Sequence, residues 1–410
     1  MDPQSSFSSL APQVRSLLAE AGMKEATPPQ AMAWPLIARG EDALVVAPTG
    51  SGKTEAALLP LLGRVVTEGH SDGISLLYIT PMRALNRDMF KRLQVWCQKL
   101  GLSVDIRHGD TPQAQRTRQS AHPPDVLVTT PETLQAVLPG RRMRENLSHL
   151  KAVVVDELHN LVESKRGVQL TVGLQRLRKV APKYQLVALS ATVGTPEVAA
   201  EFLFGEGKRS IVRADAPKEF TYLIEYPVPD PADHSAARET YSAPDLAARL
   251  SKINKLIESH TSTLIFVNSR TVAEMMGEKL ARLRKDVGVH HGSLPREERE
   301  RVEQAFKSGE LKAMVCTSTL ELGIDIGSVD LVVQYMSPRQ VTSLVQRVGR
   351  SGHRLGKVSK GVLITVSADD IVESSASVQS AARGRIEPTR PYSNSLDVLA
   401  HQAAGYLMDF

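Results

Sequence analysis

The feature that most constrains the fold is a series of short, unbroken apolar runs. Each is followed by a loop containing Gly, Pro, Ser or Thr, and then by a helical segment. In the first half the runs are ALVVA (Ala43–Ala47), SLLYI (Ser75–Ile79), DVLVT (Asp125–Thr129), AVVVD (Ala152–Asp156) and QLVAL (Gln185–Leu189). In the second half they are TLIFV (Thr263–Val267), AMVCT (Ala313–Thr317), DLVVQ (Asp330–Gln334) and GVLIT (Gly361–Thr365). Continuous β-branched runs mark strands buried on both faces, and their alternation with helices indicates parallel sheets. At 410 residues the chain is too long for one ordinary core and sufficient for two. Between the halves, EYPVPDPADHSAARETYSAPD has no period and reads as a linker. The expectation is an α/β protein of two tandem domains, each a mostly parallel sheet with helices on both faces. Domain 1 spans 1–224, the linker 225–245 and domain 2 246–385, and an amphipathic helical end, SLDVLAHQAAGYLMDF, falls within 386–410.

Composition narrows the function classes. Hydrophobic residues make up 42% and charged residues 23%, the profile of a globular protein, and no run of about 18 apolar residues offers a membrane span. The start, MDPQSSFSSL, lacks the basic and apolar regions of a signal peptide. Cys97 and Cys316 lie far apart in apolar stretches and have no metal-ligand spacing. Buried thiols in a reducing cytoplasm are therefore expected. A net charge of +5 permits polyanion binding, and its distribution is more telling. From Pro338 to Lys360 the chain carries Arg339, Arg347, Arg350, Arg354, Lys357 and Lys360 with no acid. Aromatics are only 4%, so a nucleic-acid surface here would grip backbone phosphates rather than stack on bases.

Four constellations carry chemistry. APTGSGKT (Ala47–Thr54) follows a strand and opens a helix, the context of a phosphate-binding loop. Its segment Thr49, Gly50, Ser51 and Gly52 would present backbone N–H groups to phosphates. Lys53 would reach the β- and γ-phosphates, and the Thr54 hydroxyl would bind Mg²⁺. VVVDELH (Val153–His159) places Asp156 to hold the metal and Glu157 to orient and deprotonate the attacking water. Ser190-Ala191-Thr192 ends the next strand. QRVGRSGHR (Gln346–Arg354) offers Arg350 as an arginine finger for the γ-phosphoryl, with Arg347 its helper and Gln346 a water positioner. The adjacent histidines of HHGSL (His290–Leu294) have no companion ligands at metal spacing.

The joint order of motifs resembles superfamily 2 DExH-box helicases across nearly the whole chain. It runs TPPQ (Thr27–Gln30), APTGSGKT, TPMRAL (Thr80–Leu85), TTPETL (Thr129–Leu134), DELH, SAT, FVNSR (Phe266–Arg270), HHGSL, TSTLELGIDIG (Thr317–Gly327) and QRVGRSGHR. The last two are most similar to the large helicase-related, or Lhr, family. The resemblance implies two RecA-like domains, ATP and Mg²⁺ as cofactors, and a nucleic-acid partner. That partner is single-stranded DNA or RNA or a hybrid duplex, moved 3′ to 5′ by a monomeric motor in repair or recombination. It further implies that Gln30 reads adenine and that SAT couples nucleotide state to domain movement. Gly323 and Asp325 lie near the ribose, and Arg83, Thr130, Arg270 and Thr317 contact one strand.

The chain departs from the pattern at His353, where many relatives carry a second finger, leaving that role to Arg354. The final segment resembles the first helix of a winged domain, which suggests either a truncated core or a natural minimal one. Alternatives are an RNA helicase, an ATP-gated annealing or binding factor, a duplex translocase, and an unrelated P-loop kinase or transporter ATPase. The last leaves the second sheet unexplained.

Overall fold

The computed structural model describes residues 6–409 apart from 49, 82, 192, 215–218, 322–325 and 353–357, and leaves undescribed the side chains of 83–89 and 409. Thr49, Gly323, Asp325 and Arg354 among the candidate residues therefore lie outside the described residues, as does the side chain of Arg83. The chain divides into two units, residues 1–216 with 388–410, and residues 217–387.

Unit 1 is built on a seven-stranded sheet, every pairing parallel, in the order β3-β4-β2-β5-β6-β1-β7. The strands are β1 (Ala43–Val46), β2 (Leu76–Ile79), β3 (Val104–Arg107), β4 (Val126–Thr129), β5 (Ala152–Val155), β6 (Gln185–Ser190) and β7 (Ser210–Arg213). Its central strands are apolar on both faces, so the sheet separates two cores. Leu44, Leu77, Val153 and Ala188 face one, and Val45, Tyr78, Val154 and Val187 face the other.

Unit 2 repeats the plan with a six-stranded parallel sheet, β10-β11-β9-β12-β13-β8. Its strands are β8 (Phe220–Glu225), β9 (Thr263–Phe266), β10 (Val287–His290), β11 (Ala313–Cys316), β12 (Leu331–Tyr335) and β13 (Ser359–Ile364). It too has a core on each face. Both cysteines are buried free thiols, as expected. No helix among the described residues is long and apolar enough to cross a membrane.

Two segments depart from the expected organisation. The stretch expected to be a linker at 225–245 is structured. β8 ends at Glu225 and pairs with β13, and helix Pro231–Glu239 follows. The composition that suggested a linker is a helix start. Asp230 caps with bonds to the Ala232 and Asp233 N–H groups, Pro231 fills the first turn, and Asp233 bonds back to the Asp230 N–H at 3.1 Å. The Asp233 carboxylate also accepts from Ser251 Oγ at 2.8 Å, tying this helix to Pro244–Glu258.

The second departure is residues 388–410, which return to unit 1. Thr389 Oγ1 accepts from the Thr195 N–H, and the Tyr392 N–H donates to the Val162 carbonyl at 2.9 Å. Helix Leu396–Asp409 then packs on helix Lys165–Val180 through Gln402 and Gly405, which face Arg176. Its amphipathic pattern is inverted, because Leu396, Leu399, Leu407 and Met408 are exposed.

Candidate functional site

In unit 1, β5, β6 and β1 are adjacent, so the loops leaving their carboxyl ends meet where ligands bind in open parallel sheets. Leaving β1, the Ala47 N–H donates to the Ser190 carbonyl at 3.2 Å, joining the P-loop to the SAT segment. Ser51 Oγ donates to the Pro48 carbonyl at 2.6 Å and closes the turn. Gly52 is required twice over. Its φ is +87°, and a Cβ there would lie 2.5 Å from Gln30 Nε2. Helix Lys53–Glu68 starts directly after it, with Thr54 half-buried and Lys53 buried.

Asp156 ends β5, and both of its carboxylate oxygens are held. Tyr78 Oη donates to Oδ2 at 2.5 Å, and the Glu157 N–H donates to Oδ1 at 2.8 Å. Burial, and after it the Glu157 charge, raise the Asp156 pKa to about 6, opposed by the Tyr78 hydroxyl and by Lys53. Lys53 and Asp156 are therefore electrostatic neighbours, as the P-loop reading requires.

Glu157 adopts φ +51°, a left-handed backbone that non-glycine residues seldom take and that commonly marks a functional position. Its Oε2 lies 3.4 Å from His159 Nε2, and the Ala191 N–H donates to His159 Nδ1 at 3.2 Å. The other ring nitrogen, Nε2, faces the carboxylate. Asn160 Nδ2 also lies 3.0 Å from Nε2. One ring thus links DELH to SAT.

Gln30 is 1% exposed. Its Oε1 accepts from the Thr27 N–H at 3.0 Å, and its Nε2 reaches the Gly52 carbonyl at 3.4 Å. Here the side chain caps a helix and touches the P-loop. Contact with adenine would require these bonds to be exchanged. Thr130 caps helix Pro131–Val137 through the Thr133 N–H. Arg166 ties its neighbourhood together by donating to Glu132 and to the Pro81 carbonyl. Thr130 follows β4 and Arg83 opens helix Arg83–Lys99 after β2, so these two positions leave adjacent strands.

Unit 2 mirrors that arrangement, with Arg270 and Thr317 leaving the adjacent strands β9 and β11. Arg270 is exposed and donates to Ser293 Oγ at 2.6 Å, while Thr317 is buried. In helix Val341–Val348, Gln346 is half-buried and Arg347 is buried as the hub of a network. Arg347 Nε donates to Glu321 Oε1 at 2.5 Å, and its Nη1 donates to Asn268 Oδ1 at 3.1 Å and Gln334 Oε1 at 2.8 Å. Its guanidinium carbon also lies 5.5 Å from the centre of the Phe266 ring. Arg350, 2% exposed, donates to the Glu321 backbone carbonyl at 2.5 Å. Glu321 therefore holds both arginines, the first by its carboxylate and the second by its main chain. Outside acids serve the acid-free stretch at a second point as well, where Glu387 caps the Val341 and Thr342 N–H groups.

Sequence reasoning missed Tyr78, Glu321, Asn268 and Gln334. The first lies inside an apolar run, and the last three are brought together only by the fold. The helix-capping use of Gln30 was readable in Thr-Pro-Pro-Gln, a Thr-x-x-Gln spacing. The two histidines of HHGSL pair separately, His290 with Glu303 and His291 with Glu274. Among the described residues, no group of three or more His, Cys, Asp or Glu could hold a metal. The hydroxyl of Thr54 and the carboxylate of Asp156 instead offer hard oxygens. So sparse a set suits Mg²⁺, which keeps waters and takes phosphate oxygens as its other ligands.

Comparisons with known proteins identify the family and the fold. The DEAD/DEAH box helicase family matches residues 27–200, and the helicase conserved C-terminal domain matches residues 248–355. The chain is 38% identical to the Lhr helicase/probable uracil glycosylase of Mycolicibacterium smegmatis over 91% of its own length and 28% of that protein. It is 37% identical to the ATP-dependent helicase Lhr-Core of Methanocaldococcus jannaschii over 94% of its length and 47% of that protein. It thus spans about half the archaeal relative and less of the bacterial one. The structure of Mycobacterium smegmatis helicase Lhr bound to ssDNA and AMP-PNP superposes with a TM-score of 0.86 at 37% identity, over 98% of this chain and 53% of that one. The chain belongs to the superfamily 2 DExH-box helicases, is most similar to the Lhr family, and comprises a tandem RecA-like core.

Proposed function

We propose that this chain is an ATP-driven motor that moves along single-stranded nucleic acid, DNA before RNA, and unwinds DNA or RNA–DNA duplexes. The observation that carries this reading is the convergence of Lys53, Asp156, Glu157 and His159 at adjacent strand ends, with His159 bonded onward to Ala191. A hydrolytic site with that connection can report its occupancy to the rest of the unit.

The P-loop backbone and Lys53 hold the phosphates. Glu157 orients the attacking water and takes its proton, and His159 fixes the carboxylate that does so. Thr54 and Asp156 would hold Mg²⁺, which supplies charge neutralisation at the β- and γ-phosphates. Arg350 exchanges its bond to the Glu321 carbonyl for the γ-phosphoryl and stabilises the charge developing there. Arg83 with Thr130, and Arg270 with Thr317, take turns gripping the strand backbone, so that each hydrolysis advances it, 3′ to 5′. The single-stranded DNA in the Mycobacterium smegmatis Lhr structure supports DNA as the polymer. The buried free thiols fit a reducing, cytoplasmic compartment, and the motor is proposed to act as a monomer in repair or recombination.

Steady-state ATP hydrolysis without polymer, and with single-stranded DNA, single-stranded RNA or duplex, tests the reading. Stimulation of at least tenfold by a single strand is expected. Equal rates in all four conditions would overturn it.

A further inference from the structure

We propose that Tyr78 is a positioning residue for the metal ligand Asp156, acting through its hydroxyl to hold that carboxylate ready for Mg²⁺. The inference rests on the nucleotide-site reading above and assigns a residue outside its motifs.

The placement follows from strand register. β2 and β5 are parallel neighbours with Tyr78 opposite Val154. Asp156 stands two residues beyond Val154, so the alternation of side chains puts it on the same face. The other residues of β2, Leu76, Leu77 and Ile79, are hydrocarbons, which is what a strand buried on both faces calls for. A phenol at the third position therefore brings a hydroxyl into a core that must supply a partner. The partner is Asp156 Oδ2, at 2.5 Å, and Tyr78 is 0% exposed. The phenol hydroxyl is the donor in this bond, since a carboxylate oxygen can only accept.

This bond decides the state of the carboxylate. With Oδ2 accepting from Tyr78 and Oδ1 from the Glu157 N–H, the carboxylate cannot rotate without breaking a buried hydrogen bond. Each oxygen still keeps a lone pair for a cation. Both partners are neutral donors, so they orient the anion without cancelling its charge, as outer-shell partners of metal ligands do. A purely structural tyrosine would be satisfied by a backbone carbonyl. Tyr184 in the same unit is, donating to the Leu174 carbonyl at 3.1 Å.

The test uses Tyr78→Phe, which keeps the buried ring, beside Tyr184→Phe as the control for losing any buried phenol. Binding of AMP-PNP, which is not turned over, is titrated against Mg²⁺ by calorimetry, and thermal unfolding of each variant is recorded. The expected result is that Tyr78→Phe needs on the order of tenfold more Mg²⁺ for half-maximal binding, with metal-free binding unchanged. Tyr184→Phe should titrate like the wild type, whatever its melting temperature. Coincident titrations for wild type and Tyr78→Phe would overturn the inference, as would equal shifts in the two variants. No binding of AMP-PNP by the wild type at any Mg²⁺ concentration would overturn the nucleotide-site reading itself.

Discussion

The two units hold their charged residues in opposite ways. In unit 1 the acids Asp156 and Glu157 are fixed by a phenol, a backbone N–H and an imidazole, and Lys53 is the nearby cation acting on Asp156. In unit 2 Arg347 is matched by the carboxylate of Glu321, while Arg350 is held through the carbonyl of that same residue. The contrast separates scaffold from chemistry. A charge already paired with a buried counter-charge is costly to withdraw. Arg347, expected to help an Arg350 finger, is bound into this buried network, and measuring stability beside activity separates the two expected roles.

The largest expected effect is on Arg350. Its replacement by Ala should cut kcat for ATP about a thousandfold or more, a loss larger than its destabilisation accounts for. Arg347→Ala should act on the fold instead. Leaving Glu321 buried without its partner costs about 3–5 kcal/mol of stability, measured by urea unfolding. A stable Arg347→Ala protein with a dead ATPase would erase the distinction between the two arginines. On the unit 1 side, His159→Ala should lower strand-stimulated hydrolysis roughly tenfold, the scale of one hydrogen bond to a charged group, and should lower the basal rate less. An equal loss in both rates would mean that the ring serves the base but not the SAT segment. The smallest effect is at Thr130. Thr130→Ala should cost about 1 kcal/mol as a lost helix cap, and Thr130→Ser should restore it. Loss of single-strand affinity in Thr130→Ala beyond what that destabilisation explains would reveal a strand contact as well.

What was legible in the sequence follows the same division between interior and edge. Every central strand was readable, because burial on both faces leaves an unbroken apolar run. The strands that were missed, β3, β7, β8 and β10, are the edges of the two sheets. An edge strand is wetted on one side and mixes polar residues with apolar ones, as in VDIR and FTYLIE. The motifs marked the candidate nucleotide site, since a P-loop and DELH each need fixed residue types at fixed spacing. Their supports were not legible. Tyr78 looks like one more apolar strand residue, and Glu321 lies 26 positions from the arginine it binds. Such pairs exist only once adjacent strands are assembled. The Pro-rich segment after Glu225 was misread because proline marks helix starts as well as linkers.

The most direct test of the account is single-turnover ATP hydrolysis by Glu157→Gln beside the wild type, in the presence of single-stranded DNA. The site described here predicts that the variant binds ATP and strand as tightly as the wild type and turns over at least a hundredfold more slowly. Undiminished hydrolysis by Glu157→Gln would contradict the assignment of the base, and with it the reading of this site as a motor.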